Sequence, residues 1–180
     1  MNGKIWLTLV IVCVLAAGLC GAASAAILLP EDTGRNYSMS AGLAFPISSS
    51  SARSSSAIVG IKWYGAAGGK LGETAVFGLS VDWMPVRAVS GDDVNVLPVL
   101  FNYGRYSMLG ERRMFLYGGV GIIAADGDLP ELCIEDGAQF GWQVGGNVEI
   151  NDRVQAGVRF IAGSHPADDG FFVAELGYRF

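Results

Sequence analysis

The chain has 180 residues, with 12 Lys and Arg against 17 Asp and Glu, 51% hydrophobic residues, only 16% charged residues and 26 glycines. Its high apolar content excludes a disordered chain. The glycines are spread through the apolar segments, where each would cost a helix about 1 kcal/mol relative to Ala, so a helical bundle is not expected. The chain is net acidic and has no stripe of basic residues that could bind nucleic-acid phosphates, so we expect no nucleic-acid partner.

The N-terminus has the pattern of an export signal. An apolar segment, Ile5–Leu19, follows a single positive charge, and the small residues Ala23, Ser24 and Ala25 follow in turn. This order predicts a cleaved signal peptide over 1–25 and one exported domain over 26–180. A retained membrane anchor and a lipoprotein acylated at Cys20 are the alternatives.

Cysteine usage predicts no disulfide framework. Cys13 and Cys20 lie in the predicted signal peptide, which leaves Cys133 alone in the exported domain. A single cysteine cannot form an internal bridge. No histidine or second cysteine has ligand spacing nearby, so we interpret Cys133 as a free thiol and not as a nucleophile or metal ligand.

The exported domain is dominated by a two-residue alternation. In Ala138–Ile150, for example, apolar residues or glycines alternate with Gln, Asn, Glu and Gly, which is typical of a strand with one apolar and one polar face. The alternation is weaker in Val94–Tyr106 and Met114–Ala125, whose composition still favours strands. Eight strands are predicted: Tyr37–Phe45, Ala57–Tyr64, Ala75–Trp83, Val94–Tyr106, Met114–Ala125, Ala138–Ile150, Val154–Ala162 and Phe172–Phe180.

The composition of the two faces predicts which one meets lipid. The polar face is mostly Gly, Ser, Gln and Asn with a few charges, whereas large aromatic residues lie on the apolar face near strand ends. This distribution is typical of a membrane barrel with interfacial aromatic girdles and a narrow polar lumen. We predict an all-β fold, an eight-stranded antiparallel transmembrane β-barrel with an up-and-down meander. A secreted lipocalin-like barrel is the main soluble rival.

The end of the chain resembles the C-terminal assembly signal of bacterial outer-membrane barrels, and Leu116–Gly121 and Phe140–Ile150 resemble strands of the small OmpA-like and opacity-type families. The resemblance implies an outer-membrane location, two periplasmic ends and insertion by the barrel assembly machinery. We expect outer-membrane lipid and lipopolysaccharide as further partners, and a monomer. The residues of the assembly signal are Phe172, Leu176, Tyr178 and Phe180.

This topology assigns the connections to the two sides of the membrane. With the N-terminus in the periplasm, Asn151–Arg153 and Ser107–Arg113 become periplasmic, and the connections at the opposite end become outer loops. The loop Asp126–Asp136 could hold a divalent cation, but it lacks the ligand spacing of a calcium loop, so a solvated loop is favoured. The predicted outer loops are Ser48–Ser56, Val86–Asp93, Asp126–Asp136 and Gly163–Gly170.

Evidence for catalysis is weak. His165 is the only histidine, and its neighbours Ser164, Asp168 and Asp169 would have to converge on it to form a hydrolase triad. Ser164 and His165 are adjacent, and adjacent side chains point apart in a strand. The sequence also lacks the His-x-Ser-Asn stretch of outer-membrane deacylases. We therefore expect no catalytic residues, no cofactor and no metal site.

Charged residues on the lumen face are the main candidate site. Because an eight-stranded lumen has no room for an aqueous channel, we interpret them as a structural plug of ion pairs, with a gate or selectivity ring as the alternative. They are Lys62, Asp82, Glu149, Arg159, Glu175 and Arg179.

Strand register predicts how these charges pair. If Ile150 pairs with Val154, Glu149 faces Gln155. If the last hairpin pairs Ala162 with Phe172, then Arg159 faces Glu175 and Gln155 faces Arg179.

The function expected from these patterns is structural, adhesive or envelope-preserving, without enzymatic activity. A narrow pore or ligand-binding barrel is one alternative, and a membrane-embedded lipid-modifying enzyme is the other.

Overall fold

The structure, a computed structural model, describes residues 37–47, 55–66, 75–88, 90–132, 134–163 and 169–180. The predicted signal peptide over 1–25, Cys133 and His165 lie outside the described residues. Among the described residues, no helix is long and apolar enough to cross a membrane.

Within these residues the chain forms a closed β-barrel. Each strand pairs antiparallel with its neighbours in sequence, and the first strand pairs with the last. The predicted all-β, eight-stranded antiparallel barrel with an up-and-down meander is confirmed. The strands are β1 (Tyr37–Ile47), β2 (Ser56–Ala66), β3 (Ala75–Arg87), β4 (Asp93–Leu109), β5 (Arg112–Ala125), β6 (Gly137–Glu149), β7 (Val154–Gly163) and β8 (Gly170–Arg179).

The alternation in sequence becomes an alternation of exposure. Along β1 exposed and buried residues mostly alternate, and large apolar residues on the outer face of the barrel are about half exposed. This outer surface would face lipid in a membrane barrel. Representative outward residues are Leu43, Ile61, Phe101, Val120, Phe140, Val144, Val158 and Leu176.

The barrel has two different ends. The end that holds the start of β1 and the last residue of the chain, the terminal end, has tight connections. Leu109 pairs with Arg112 across the two-residue turn Gly110–Glu111, and Gly110 has a φ of +63°, which favours glycine. The predicted connection Ser107–Arg113 was therefore too long, because β4 and β5 continue to the turn.

The opposite end, the loop end, also differs from expectation. The predicted outer loop Val86–Asp93 is shorter, since Val86 and Arg87 still belong to β3 and Arg87 pairs with Asp93 of β4. The backbone N–H of Ala88 donates to the carbonyl of Asp92, closing the short connection. The longest described connection at this end joins β5 to β6.

The predicted register is right for one hairpin and wrong for the other. Glu149 pairs with Gln155, as expected. Between β7 and β8, however, Phe160 pairs with Phe172 and Gly157 with Glu175, so the predicted register of this hairpin is wrong by two residues. A shift of two keeps every side chain on its face, because strand side chains alternate with period two.

Candidate functional site in the barrel lumen

Four charged side chains meet in the middle of the lumen, and we call them the charge layer: Lys62, Asp82, Arg159 and Glu175. The Arg159 guanidinium donates two hydrogen bonds to the Asp82 carboxylate, at 2.7 and 2.6 Å. Its Nη2 also lies 3.1 Å from Glu175 Oε2, and Lys62 Nζ donates to Glu175 Oε1. Two cations thus balance two carboxylates.

The charge layer is fully enclosed. Its side chains are between 0% and 3% exposed. A glycine provides room for one of them, because a Cβ on Gly60 would lie 1.9 Å from Asp82 Oδ1. Charges buried this deeply are tolerated only when they are paired and hydrogen-bonded. The layer therefore depends on all four residues together.

Uncharged polar side chains extend the charge layer across the barrel. Gln143 Oε1 accepts a hydrogen bond from Arg159 at 3.0 Å, while Gln143 Nε2 donates to Ser80 Oγ at 3.0 Å and to Asn102 Oδ1. Asn102 in turn donates to Ser80 at 3.1 Å. These residues place β3, β4, β6 and β7 in one hydrogen-bonded network.

The terminal half of the lumen contains an aromatic cluster. The Phe115 ring stacks on Tyr117 at 5.2 Å between centroids and contacts Tyr64 edge-on at 5.1 Å. Tyr106 lies 5.0 Å from Phe115 on the other side. The cluster lies between the charge layer and the terminal mouth of the barrel.

A second ion pair occupies that mouth, and we call it the terminal pair: Glu149 and Arg179. Arg179 Nη1 donates to Glu149 at 2.7 Å, and Nη2 donates to Gln155 at 3.1 Å and to the Tyr106 hydroxyl at 3.3 Å. The two charged side chains are 14% and 17% exposed, so water reaches them. The sequence predicts that Glu149, Gln155 and Arg179 lie together, and they do. In the strand pairing, however, Gln155 stands opposite Gly177 and not opposite Arg179.

The loop half of the lumen is apolar, contrary to the predicted polar lumen. Most lumen-facing residues here belong to one buried apolar cluster. This apolar lumen explains why the β4 and β5 sequences alternate only weakly, because both faces of these strands carry apolar residues. Leu100 and Ile123 face the lumen, and their neighbours Phe101 and Ile122 face outward. The cluster includes Ala44, Ile58, Met84, Val96, Leu100, Ile123, Ile161, Phe171 and Val173.

The connection between β5 and β6 seals this apolar half, so it is not simply a solvated loop. Leu129, Leu132 and Ile134, which we call the loop plug, are 0% to 2% exposed and belong to the same apolar cluster. Leu129 and Ile134 exchange backbone hydrogen bonds of 2.7 and 3.1 Å. The sequence shows no sign of this plug, because acidic residues dominate the segment and its few apolar residues lie between them.

The acidic residues of this connection have structural contacts. The Asp126 carboxylate accepts hydrogen bonds from the backbone and side-chain N–H groups of Asn95, at 2.6 and 2.8 Å. Asp128 accepts the backbone N–H of Asp136 at 2.8 Å. Among the residues that the structure describes, no three His, Cys, Asp or Glu side chains form a group that could hold a metal ion.

The predicted assembly-signal residues lie on the outer face of β8 and beyond its end. Phe172, Leu176, Tyr178 and Phe180 are between 40% and 60% exposed. The Phe180 ring contacts Tyr178 edge-on at 5.3 Å, and its backbone N–H donates to the Tyr37 carbonyl at 3.0 Å. The last residue therefore takes part in closing the barrel.

Comparison with known proteins identifies the fold. No protein-family model matches the chain, and no curated protein matches its sequence. The outer membrane enzyme PagL superposes with a TM-score of 0.56 at 15% identity, over 79% of this chain and 98% of PagL. The Ail protein of Yersinia pestis gives a TM-score of 0.47 at 14% identity, over 81% and 99%. OprG from Pseudomonas aeruginosa gives 0.43 at 11% identity, over 81% and 96%.

At these identities the likeness is one of fold alone. The chain shares the closed barrel fold of PagL. The narrower resemblance to OmpA-like and opacity-type barrels stays a prediction, because no family model supports it.

Proposed function

We propose that this chain is a non-conducting structural barrel of the bacterial outer membrane that contributes to the integrity of the envelope. One observation supports the proposal above all others: side chains fill the described lumen in successive layers. The terminal pair, the aromatic cluster, the charge layer and the apolar cluster follow one another, and the loop plug lies over the last. An ion crossing this lumen would have to separate buried ion pairs and enter an apolar region.

Conductance measurements test the first part of the proposal. The refolded barrel in a planar lipid bilayer should give no unitary current, and a porin inserted in the same bilayer provides the detection control. Steady unitary steps from the refolded barrel, absent from a boiled sample, would establish the narrow pore as the better description.

A complementation experiment tests the role in the envelope. We expect deletion of the gene to sensitise cells to detergent and the wild-type gene to restore resistance. A variant with Asp93→Ser and Glu135→Ser, two exposed residues at the loop end, should restore resistance equally. If this variant is folded and present but does not restore it, recognition by the outer surface is the function. Unchanged detergent resistance after deletion would contradict the envelope role.

The proposal includes the absence of catalysis, which His165→Ala can test. The residue lies outside the described residues, and PagL, a structural neighbour, is an outer membrane enzyme. Complementation by His165→Ala with an unchanged mass profile of the envelope lipids supports a non-enzymatic barrel. A lipid species that depends on His165 would instead identify a lipid-modifying enzyme.

A further inference from the structure

Among the residues that the structure describes, buried polar atoms without a hydrogen-bond partner gather in one part of the lumen. They belong to six of its strands, and each is enclosed by the barrel. The atoms are Ser38 Oγ, the hydroxyls of Tyr64 and Tyr117, Asn147 Oδ1 and Nδ2, Arg159 Nε and Glu175 Oε2. Glu175 Oε2 makes the ion-pair contact of 3.1 Å with Arg159 Nη2 described above but no hydrogen bond within the described part of the chain.

All of these atoms lie in the charge layer or on its terminal side. Tyr64 follows Lys62 by two residues toward the terminal end of β2. Gly145 of β6 pairs with Arg159. Asn147 comes two residues after Gly145 and therefore also lies toward the terminal end. No lumen-facing strand residue of the loop half carries an unpartnered buried oxygen or nitrogen atom among the described residues.

Glycines allow these groups to lie close against the neighbouring strands. A Cβ on Gly145 would lie 3.0 Å from the Tyr117 hydroxyl and 2.5 Å from Arg159 Cβ. A Cβ on Gly157 would lie 1.9 Å from Asn147 Oδ1. The Tyr117 hydroxyl and the stem of Arg159 therefore approach the same small region, as the amide of Asn147 approaches Gly157.

We propose that the terminal half of the lumen holds ordered water, bound by Tyr64, Tyr117, Asn147 and the free edges of the charge layer, whereas the loop half is dry. Buried water typically makes about three hydrogen bonds to groups that lack a protein partner. The set is complementary to water, because Arg159 Nε donates, Glu175 Oε2 accepts and the tyrosine hydroxyls do either. Water enters at the partly exposed terminal pair and stops at the apolar cluster.

Nuclear magnetic resonance of the refolded barrel in nanodiscs tests this distribution. Backbone amides of Tyr117 and Asn147 should show cross-relaxation with water, whereas those of Met84 and Leu100 should show none. A hydroxyl proton can relay such a signal, so the Asn147 signal is measured again in Tyr117→Phe and should persist. Equal water signals in both halves, or none in the terminal half, would overturn the proposal.

The urea midpoint of Tyr117→Phe provides a second, independent test. If water satisfies the hydroxyl, its removal should leave the midpoint unchanged or lower it. A dry, unpartnered hydroxyl is destabilising, so its removal would raise the midpoint and contradict the proposal. Tyr103→Phe is the matched control, because Tyr103 is 48% exposed on the outer face.

Discussion

Breaking one side of the Arg159 and Asp82 pair should destabilise the barrel strongly. When Arg159 is replaced by Met, Glu175 keeps Lys62 as its partner, but Asp82 keeps no cation within hydrogen-bonding distance among its described contacts. When Asp82 is replaced by Asn, the layer carries an excess positive charge. A buried charge left unpaired costs about 3 to 5 kcal/mol, so each single variant should lose that much free energy of unfolding.

The double variant, Asp82→Asn with Arg159→Met, leaves the neutral pair of Lys62 and Glu175. The free energy of unfolding that the double variant loses should therefore be smaller than the sum of the two single losses, with a coupling of about 2 to 3 kcal/mol. Urea unfolding in lipid vesicles, followed by tryptophan fluorescence, measures all four corners of the cycle.

The terminal pair provides the matched control. Its side chains are 14% and 17% exposed, so the cycle of Glu149→Gln and Arg179→Met should give a coupling of about 1 kcal/mol or less. Additive losses at Asp82 and Arg159, within about 0.5 kcal/mol, would refute the reasoning that the charge layer depends on mutual pairing.

Three further predictions concern packing and assembly. Gly60→Ala should lower the urea midpoint, because its Cβ would lie 1.9 Å from a carboxylate oxygen of the charge layer, whereas Gly118→Ala, with its nearest neighbouring atom at 3.7 Å, should change it little. Leu132→Ala should cost about 2 to 5 kcal/mol of unfolding free energy by leaving a cavity in the loop plug, and exposed Glu135→Ala should cost almost nothing in the same titration. Deleting Phe180 should reduce the folded barrel recovered from membranes far more than Glu135→Ala does; equal yields would contradict its role in assembly.

The strands and their faces could be predicted because alternation is a local property. In β6 one face is apolar and the other is Gly, Gln, Asn or Glu, so both the strand and its orientation can be predicted from a few residues. The inward position of Arg159 and Glu175 follows from the same period. Even a register wrong by two residues left these side chains inside the barrel.

The layered lumen could not be predicted in this way, because it depends on which strands face each other across the barrel. Leu100 and Ile123 are apolar like their outward neighbours, so β4 and β5 gave a weak pattern that carried no sign of a dry half. The loop plug needs the three-dimensional path of a connection whose sequence is dominated by acidic residues. Nothing in the sequence distinguishes Gln143 from the other polar residues of β6, because its partners Ser80 and Asn102 lie on other strands.

Membrane fractionation combined with gel migration tests whether the apolar outer face of this barrel lies in outer-membrane lipid. We expect the mature chain in the outer-membrane fraction, released only by detergent, and we expect the unboiled sample to migrate differently from the boiled one. Recovery of the mature chain in the soluble periplasmic fraction, with no change of migration on boiling, would show that the barrel does not lie in the outer membrane.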